Sequence, residues 1–394
     1  MGQSEGRSRR IFISTGEVSG DLQGSLLIEA LYQVAAEEQL KLEIVALGGP
    51  RMAQAGATLL GDTSDIGSVG IFEALPYLWP SWQLQRQTQR VLQAQPPDLA
   101  ILIDYMNPNL AMGRYLKTHF PQLPVVYYIA PQQWVWAFST ADTRRIVEYS
   151  DRMIAIFQAE ADYFRRFGAA VSWVGHPLVD RYPTAPDREA ARQRLGLPPD
   201  QTMITLLAAS RQQEVKYLLP IFLQAAQLIQ RQRPDVLFLL PVSAPALQAS
   251  FEQGLAKYPV QGRIVRDHPT DAIAAADVAL TKSGTANLEI ALMNVPQVVA
   301  YRINPISARL ARYVLKFKVP FVSPVNLAVN QPVVPEFLQW QATPIALAEA
   351  TLNLLTHQPD RQAMLQGYAA LRQALGEPGA CRRAANLILK GESC

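Results

Sequence analysis

The segment Ser283–Glu289 reads SGTANLE, and its residue types suit a nucleotide site. Gly284 follows an apolar strand-like run and is read as opening the next helix. Thr285 and Glu289 stand four apart, so both project from one face of that helix's first turn. A small hydroxyl near phosphates, with a carboxylate one turn on to accept both ribose hydroxyls, is chemistry for a uridine nucleotide. Capping alone is the competing reading, since it accounts for Ser283, Gly284 and Thr285 and permits Glu289. Ser210 and Arg211 follow another strand-like run, and Ser210 with Gln213 makes a Ser-x-x-Gln capping box. An arginine at the mouth of such a helix can clamp a diphosphate through two parallel bonds. An ordinary surface arginine is the alternative.

Asp104 closes the run Leu99–Asp104 and should sit at the carboxyl edge of a sheet, where open α/β sheets bind ligands. Asn107–Pro108 offers the next helix its cap and first residue, which leaves Asp104 available as a general base. The bland role for Asp104 is that of a cap. From Ser14 to Gly24 the chain reads STGEVSGDLQG, with Gly16, Glu17, Ser19, Gly20 and Asp21 in the turn. Three glycines after a first strand suggest a dinucleotide site, but the spacing is not G-x-G-x-x-G. The second strand also ends in Gly48–Gly49 rather than in an acid for a ribose. What remains is a glycine turn that lets a ligand approach backbone, or a tight strand-to-helix turn capped by Ser19.

Gly67 to Trp82 crowds Val69, Ile71, Phe72, Leu75, Leu78, Trp79 and Trp82 around two prolines, with Arg86 and Arg90 following. Apolar and aromatic residues beside basic ones suit a loop that beds into lipid headgroups or holds an acyl chain. A buried connection is the other reading. Tyr127 to Trp136 reads YYIAPQQWVW, whose tryptophans either wall a sugar site or pack a core.

The elements that must position these residues alternate. Strand candidates are Ile11–Ser14, Leu42–Leu47, Leu99–Asp104, Val125–Ile129 and Met153–Phe157, then Met203–Leu207, Val236–Leu240, Arg263–Val265, Val278–Leu280 and Gln297–Tyr301. Amphipathic helical stretches such as Leu22–Ala36 and Ser81–Gln95 intervene, which implies βαβ units and parallel sheets. A proline-bounded polar stretch around Gly175–Asp200 reads as a hinge, and the last fifty residues read as helices. With 394 residues, 49% hydrophobic and 18% charged, the chain can fill two cores and is not a disordered protein. A net charge of +3 is far from that of a nucleic-acid binder but compatible with phosphorylated substrates or an anionic membrane. Only Cys381 and Cys394 are present, and the four histidines are scattered, so neither a disulfide framework nor a metal site is expected. The polar start MGQSEGRSRR lacks a signal-peptide apolar stretch, and no run is long enough to span a bilayer.

Taken in order, several segments resemble those of the lipid-A-disaccharide synthase family of inverting glycosyltransferases. They are GEVSGD, GGPRM, VGIFEAL, the Asp-x-x-x-x-Asn of IDYMNPN, APQQWVWA and VGHPLVD, followed by SRQQE, KSGTANLE, VVAYR and VVPEFLQ. The resemblance implies an α/β, GT-B-type fold of two Rossmann-like, doubly wound parallel-sheet domains facing a cleft, with a helical C-terminus. It divides the chain into an acceptor- and acyl-binding domain (1–178), a UDP-sugar domain (179–345) and C-terminal helices (346–394) that pack back on the first domain or on a partner chain. The implied donor is UDP-2,3-diacylglucosamine and the implied acceptor is 2,3-diacylglucosamine 1-phosphate, joined without a metal or cofactor into a β-1',6-linked disaccharide. Asp104 falls at the position of the proposed base. Ser210, Arg211, Ser283, Gly284, Thr285, Glu289 and Asn326 fall in the donor site, with Arg302, Glu336 and Gln339 in matching motifs nearby. The Gly67–Trp82 segment becomes the acyl- and membrane-binding region of a cytoplasmic, peripheral inner-membrane protein, and the family allows a homodimer exchanging C-terminal elements. The chain departs from the family at Ala208-Ala209, where the pattern has Pro-Gly, at Ala130–Trp136, and at Pro324-Val325. Two other functions stay open on sequence: a GT-B relative that transfers or epimerises another UDP-sugar, and a non-catalytic sugar-nucleotide binder.

Overall fold

The structure is a computed structural model that describes residues 7–63, 71–137, 139–209, 212–242, 245–304 and 319–391; the side chains of 71–78, 212, 213 and 245 are not described. It divides into two units, Met1–Asp180 with Leu375–Cys394, and Arg181–Ala374.

The first unit is built on seven parallel strands: β1 (Ser8–Ser14), β2 (Lys41–Gly48), β3 (Thr58–Asp62), β4 (Leu99–Ile103), β5 (Val125–Tyr128), β6 (Arg152–Ala155) and β7 (Val171–Trp173). Their order across the sheet is β3-β2-β1-β4-β5-β6-β7. Both faces are covered, so the strands read as apolar runs whose alternate residues serve two separate cores. Ile11, Ile13, Ile44, Ala46, Ile101 and Ile103 face one core, and Phe12, Val45, Leu47, Ala100 and Leu102 face the other.

The second unit repeats the plan with six parallel strands: β8 (Met203–Leu207), β9 (Leu237–Pro241), β10 (Gly262–Val265), β11 (Val278–Lys282), β12 (Gln297–Tyr301) and β13 (Glu336–Leu338). Their order is β10-β9-β8-β11-β12-β13. In each sheet the order reverses beside the first strand, between β1 and β4 and between β8 and β11. The helices after such a pair leave on opposite faces, which opens a crevice at the strands' carboxyl ends.

β3, β7 and β13 had no counterpart among the strands read from sequence. All three are short, largely half-buried and lie at sheet edges, so none carries the long apolar run of a central strand. The reading of Gly67–Trp82 as a loop also needs correction. From Ile71 onward the chain is one helix, Ile71–Ala94, which runs through Pro76 and Pro80, residues that ordinarily argue for a break.

The C-terminal helices divide between the units. Pro344–Thr356 and nearly all of Gln358–Leu375 belong to the second, whereas Ala380–Lys390 packs along the helix Glu17–Glu37 of the first. Its Cys381, Ala384, Ala385, Leu387, Ile388 and Leu389 complete one core of that sheet. Asp180 fastens its start. One carboxylate oxygen accepts the N–H groups of Gly379 (2.5 Å) and Ala380 (3.0 Å), and the other accepts that of Cys381 (2.8 Å). These are donors that a helix leaves without intrahelical partners, next to the positive end of its dipole. Replacing Asp180 by Ala should therefore destabilise the first unit by about 2 kcal/mol. Amide exchange should accelerate along Ala380–Lys390 first; protection there equal to wild type would remove the capping role.

Candidate functional site

At the reversal point of the first sheet the ends of β1 and β4 are tied by one buried carboxamide. Asn109, fully buried, directs Nδ2 at the carbonyls of Ser14 (3.2 Å), Ile103 (3.0 Å) and Asp104 (2.8 Å). Its Oδ1 accepts the Ser14 hydroxyl at 2.7 Å. Asp104 and Tyr105 both take left-handed backbone angles, φ +44° and +53°. Two successive non-glycine residues there cost on the order of 1–3 kcal/mol each, and such strain concentrates at functional sites. The turn persists because it is held from several directions. The Asp104 N–H donates to the Ile129 carbonyl (2.8 Å), and the Tyr127 hydroxyl donates to the Asp104 carbonyl (3.0 Å). The result is a half-buried aspartate at the strand's carboxyl end.

Asn107 does not cap the following helix as its sequence suggested. The helix is Met106–His119, opened by left-handed Tyr105, so Asn107 and Pro108 both lie inside its first turn. Proline is tolerated there because the first N–H groups have no intrahelical acceptor. The spacing Asp-x-x-x-x-Asn was visible in the sequence; the tie made by Asn109 was not.

The glycine turn lies beside this aspartate. A Cβ on Gly16 would stand 2.5 Å from the Tyr105 ring, so only glycine allows the two turns to touch. Glu17, at φ +64°, opens the helix Glu17–Glu37 with Gly16 as a cap that offers no side chain. Ser19 is thus inside the helix and is not its cap, while Ser19 and Glu17 stay half-buried at the edge. Asp21 is engaged elsewhere: its two oxygens accept the N–H groups of Gly49 (3.0 Å), Arg51 (3.1 Å) and Met52 (3.0 Å). It starts the helix Pro50–Gln54 and joins GEVSGD to GGPRM, so its part is positional.

Glu160 does the same for the loops after β5 and β6. It is 1% exposed and accepts the N–H groups of Ala130 (2.7 Å), Ile156 (2.9 Å) and Phe157 (3.3 Å). Burial pushes its carboxyl up to about 7, the three N–H bonds oppose that rise, and the Asp104 carboxylate adds to it. Phe157 connects Trp134 (5.4 Å between ring centres) to His176 (5.1 Å), so within YYIAPQQWVW the tyrosines are buried in β5 and Trp134 packs on the loop after β6. His176 accepts the Leu178 N–H at 3.1 Å, and burial pulls its imidazole down to about 3. Sequence reading did not single out Glu160, which carries no motif spacing.

In the second unit, β11 is followed by Ser283, Gly284 and Thr285, and the helix starts at Ala286 rather than at Gly284. Gly284 takes φ +148°, a backbone conformation that side-chain-bearing residues rarely adopt. Neither Ser283 nor Thr285 caps the helix. The Ser283 hydroxyl donates to the Val322 carbonyl (2.7 Å), and Thr285, the residue at the cap position, makes no side-chain capping bond. Buried Asn287 closes the turn instead: its Oδ1 accepts the Gly284 N–H (3.1 Å) and its Nδ2 donates to the Lys282 carbonyl (2.8 Å). One turn on, the half-buried Glu289 carboxylate accepts the Tyr182 hydroxyl (3.2 Å) and lies 3.7 Å from Arg181. Beneath, Lys282 pairs with Glu214 at 2.7 Å, both side chains mostly buried.

Ser210 and Arg211 lie outside the described residues, as does Val69; the side chains of Ile71, Phe72, Leu75 and Leu78 do too. Ala208 and Ala209, which stand before Ser210, are buried. Asn326 and Glu336 form a clamp. Asn326 bonds both backbone groups of Val334 at 2.9 Å and the Glu336 carboxylate at 2.8 Å. Glu336 also accepts the N–H groups of Val322 (2.9 Å) and Ser323 (2.8 Å), and burial raises its carboxyl above the usual range. Since Ser283 bonds the Val322 carbonyl, this clamp fixes the height of the SGT turn. Arg302 and Gln339 are half-buried, Gln339 at φ +52°. Arg302 has no acidic partner among the described residues. Trp79 and Trp82 lie in the helix Ile71–Ala94. They are 64% and 48% exposed, stacked at 5.1 Å, with the Arg86 guanidinium 4.8 Å from the Trp82 ring.

Comparison with known proteins agrees with this architecture. The family described as lipid-A-disaccharide synthetase matches residues 11–390. A lipid-A-disaccharide synthase of Gloeothece citriformis is 53% identical over 380 residues, covering 96% of this chain and 99% of that protein. Among solved structures, UDP-GlcNAc 2-epimerase from Neisseria meningitidis bound to UDP-GlcNAc superposes with a TM-score of 0.65 at 12% identity, covering 97% of this chain and 100% of that one. The glycotransferase of kitacinnamycin gives 0.60 at 17% identity, covering 98% and 100%. These structural likenesses show the shared two-domain, GT-B-type fold.

The buried acid and the buried imidazole give the first unit a defined response to pH. Glu160 titrates near 7 when folded against 4.5 unperturbed, so its stabilising contribution is complete below 4.5 and is lost as pH rises through 7. His176 titrates near 3 against 6.5, so its contribution is complete above 6.5 and is lost as pH falls toward 3. Between pH 4.5 and 6.5 the two oppose each other. In Glu160→Gln only the histidine remains, and stability should rise with pH by about 1.4 kcal/mol per unit more steeply than in wild type. Urea midpoints across that range measure it; parallel profiles would exclude the pair.

Proposed function

The chain belongs to the lipid-A-disaccharide synthase family, and on that premise we propose which residues of each unit carry the reaction. It is a glycosyltransferase of lipid A biosynthesis. It transfers 2,3-diacylglucosamine from its UDP derivative to 2,3-diacylglucosamine 1-phosphate, with inversion, releasing UDP and a β-1',6-linked disaccharide 1-phosphate.

Asp104 is the general base. The acceptor's 6-hydroxyl gives its proton to the Asp104 carboxylate while its oxygen bonds to the anomeric carbon. On the opposite side the bond from that carbon to the UDP oxygen breaks. The observation that carries this role is the left-handed turn at Asp104–Tyr105, held by Asn109 and Tyr127 at the reversal point of the first sheet. Glu17 and Ser19, with the backbone of Gly16 and Gly20, line the same edge and face the acceptor.

The second unit holds the nucleotide. Thr285, whose hydroxyl is not engaged in capping, and the Gly284 backbone lie where a diphosphate meets a helix start, and Glu289 is placed one turn on for the ribose. Negative charge on the departing UDP is stabilised by Arg211, by half-buried Arg302 and by the helix start, with no metal ion required. Ser283, Asn326 and Glu336 shape this turn from behind, and Gln339 directly follows the strand that Glu336 begins.

Trp79, Trp82 and Arg86 form a membrane-facing patch, the aromatic rings entering the headgroup layer and the arginine meeting lipid phosphate. No described helix is long and apolar enough to cross a membrane, and the proposed location is peripheral, on the cytoplasmic side of the inner membrane. A homodimer that exchanges the helix Ala380–Lys390 would use the same apolar face against a partner's first unit.

Incubation of the purified chain with acylated donor and acceptor, with the product identified by mass, tests the reaction directly. Asp104→Asn should fold, bind UDP and lose about 10²–10⁴-fold in turnover; near-wild-type turnover would remove Asp104 from the mechanism. Joint replacement of Trp79 and Trp82 by Ala should cut sedimentation with anionic vesicles while leaving UDP affinity unchanged. Undiminished vesicle binding would locate the membrane contact elsewhere.

A further inference from the structure

The amino edge of the second sheet carries a basic recess that the reaction above does not use. It encloses about 310 Å³, and its lining includes Arg188, Arg233, Arg361, Thr202 and Asp277. Asp277 stands just before β11. One of its oxygens takes the Arg188 guanidinium; the other takes Arg192 (3.0 Å) and the Met203 N–H (2.8 Å). Arg361 reaches only the backbone carbonyl of Asp277, at 2.8 Å. Its sequence neighbour Asp360 is held by Asn353 (2.5 Å) and His357 (3.0 Å). Arg233 is paired at the rim with exposed Asp235, and also donates to the Thr202 hydroxyl oxygen at 3.2 Å. Three guanidinium groups, those of Arg188, Arg192 and Arg361, therefore converge on one aspartate.

Their crowding has a cost. Burial lowers the proton affinity of both Arg192 and Arg361, and the charge of Arg188 adds to it; on Arg361 the Asp277 charge opposes the fall more strongly than Arg188 adds to it. Arg192 is accounted for by packing, since its side chain is 4% exposed and bonds the carbonyls of Ala275 and Pro199. Asp200 also acts on it, as its weakest influence. Arg188 and Arg361 are different. Both line the open recess, and Asp277 cannot neutralise both while it also serves Arg192.

We propose that this recess binds a phosphate-bearing anion between Arg188 and Arg361, with Arg233 and the Thr202 hydroxyl at its rim. Planar guanidinium forks match phosphate oxygens in pairs, and an anion there would relieve the repulsion between the arginines. The recess is separate from the nucleotide edge. It lies at the amino ends of β8 and β11, five-residue strands about 17 Å long; the SGT turn follows the carboxyl end of β11. Free inorganic phosphate and the phosphate headgroup of a lipid present the same chemistry.

The test uses the full chain with UDP saturating, at an ionic strength held constant with chloride. Titrated inorganic phosphate should raise the melting temperature saturably. Arg188→Gln and Arg361→Gln should each weaken that response about tenfold or more while keeping the shift produced by UDP. Arg361 also holds the Asp277 carbonyl, so the more exposed Arg188 is the deciding variant. In a second arm, vesicles containing phosphatidic acid are compared with phosphatidylcholine alone. A loss of phosphatidic-acid binding in Arg188→Gln assigns the lipid source, and a loss confined to inorganic phosphate assigns the free anion. No response in either arm, a phosphate response abolished by UDP, or responses retained in Arg188→Gln would each overturn the proposal.

Discussion

A parallel sheet covered on both faces leaves chemistry little room except at its ends, and a reversal of strand order decides where along the end it goes. This chain meets that constraint twice, between β1 and β4 and between β8 and β11. Segments far apart in sequence become neighbours only because of it. The glycine turn after β1 touches Tyr105 after β4. In the same way, the SGT turn follows the strand that pairs with β8. The reversal supplies the crevice; the side chains around it decide how firmly its walls stand.

Those walls are held by buried or half-buried polar groups bonded to backbone. Asp21, Asn109 and Glu160 serve the first unit, and Asn287, Asn326 and Glu336 serve the second. Each satisfies backbone groups that a loop at a strand's end would otherwise bury without partners, at a cost of about 1–3 kcal/mol apiece. A carboxylate that accepts three N–H groups has little capacity left for substrate. This separates residues of similar motif rank: the oxygens of Asp21 and Glu336 are taken up by N–H groups of the chain itself, whereas half-buried Asp104 and Glu289 accept no such set of backbone N–H bonds among the described residues. The arginine recess at the opposite edge of the second sheet differs from all of these, since there the imbalance is of charge rather than of hydrogen bonds.

How much was legible in advance follows from how local each signal is. Ten strands, nine of them central, the alternation of strand and helix, and Asp104 at a strand's end could be read along the chain, because apolar runs and turn residues act within a few positions. The edge strands β3, β7 and β13 were missed because none has a fully buried residue, whereas β10, also at an edge, keeps Val265 buried. Pro76 and Pro80 masked the start of the helix Ile71–Ala94, since a proline argues for a break unless surrounding structure overrides it. Local preference alone makes Asn107 a cap and makes a cap at Ser19 one of two readings of the glycine turn. Left-handed Tyr105 and cap residue Gly16 set those helix starts instead.

By itself, then, the order of residues determined the α/β class, the two-sheet plan and the segments from which a glycosyltransferase site would be drawn. Those depend on hydrophobic periodicity and short motifs. Only the tertiary structure decided which motif residues face outward and which are bonded into the walls. It also brought Asn109 to Ser14, seated the helix Ala380–Lys390 on the helix Glu17–Glu37, and gathered Arg188, Arg192 and Arg361 around Asp277. These are long-range hydrogen bonds and charge contacts, and their partners lie too far apart along the chain for any spacing to announce them.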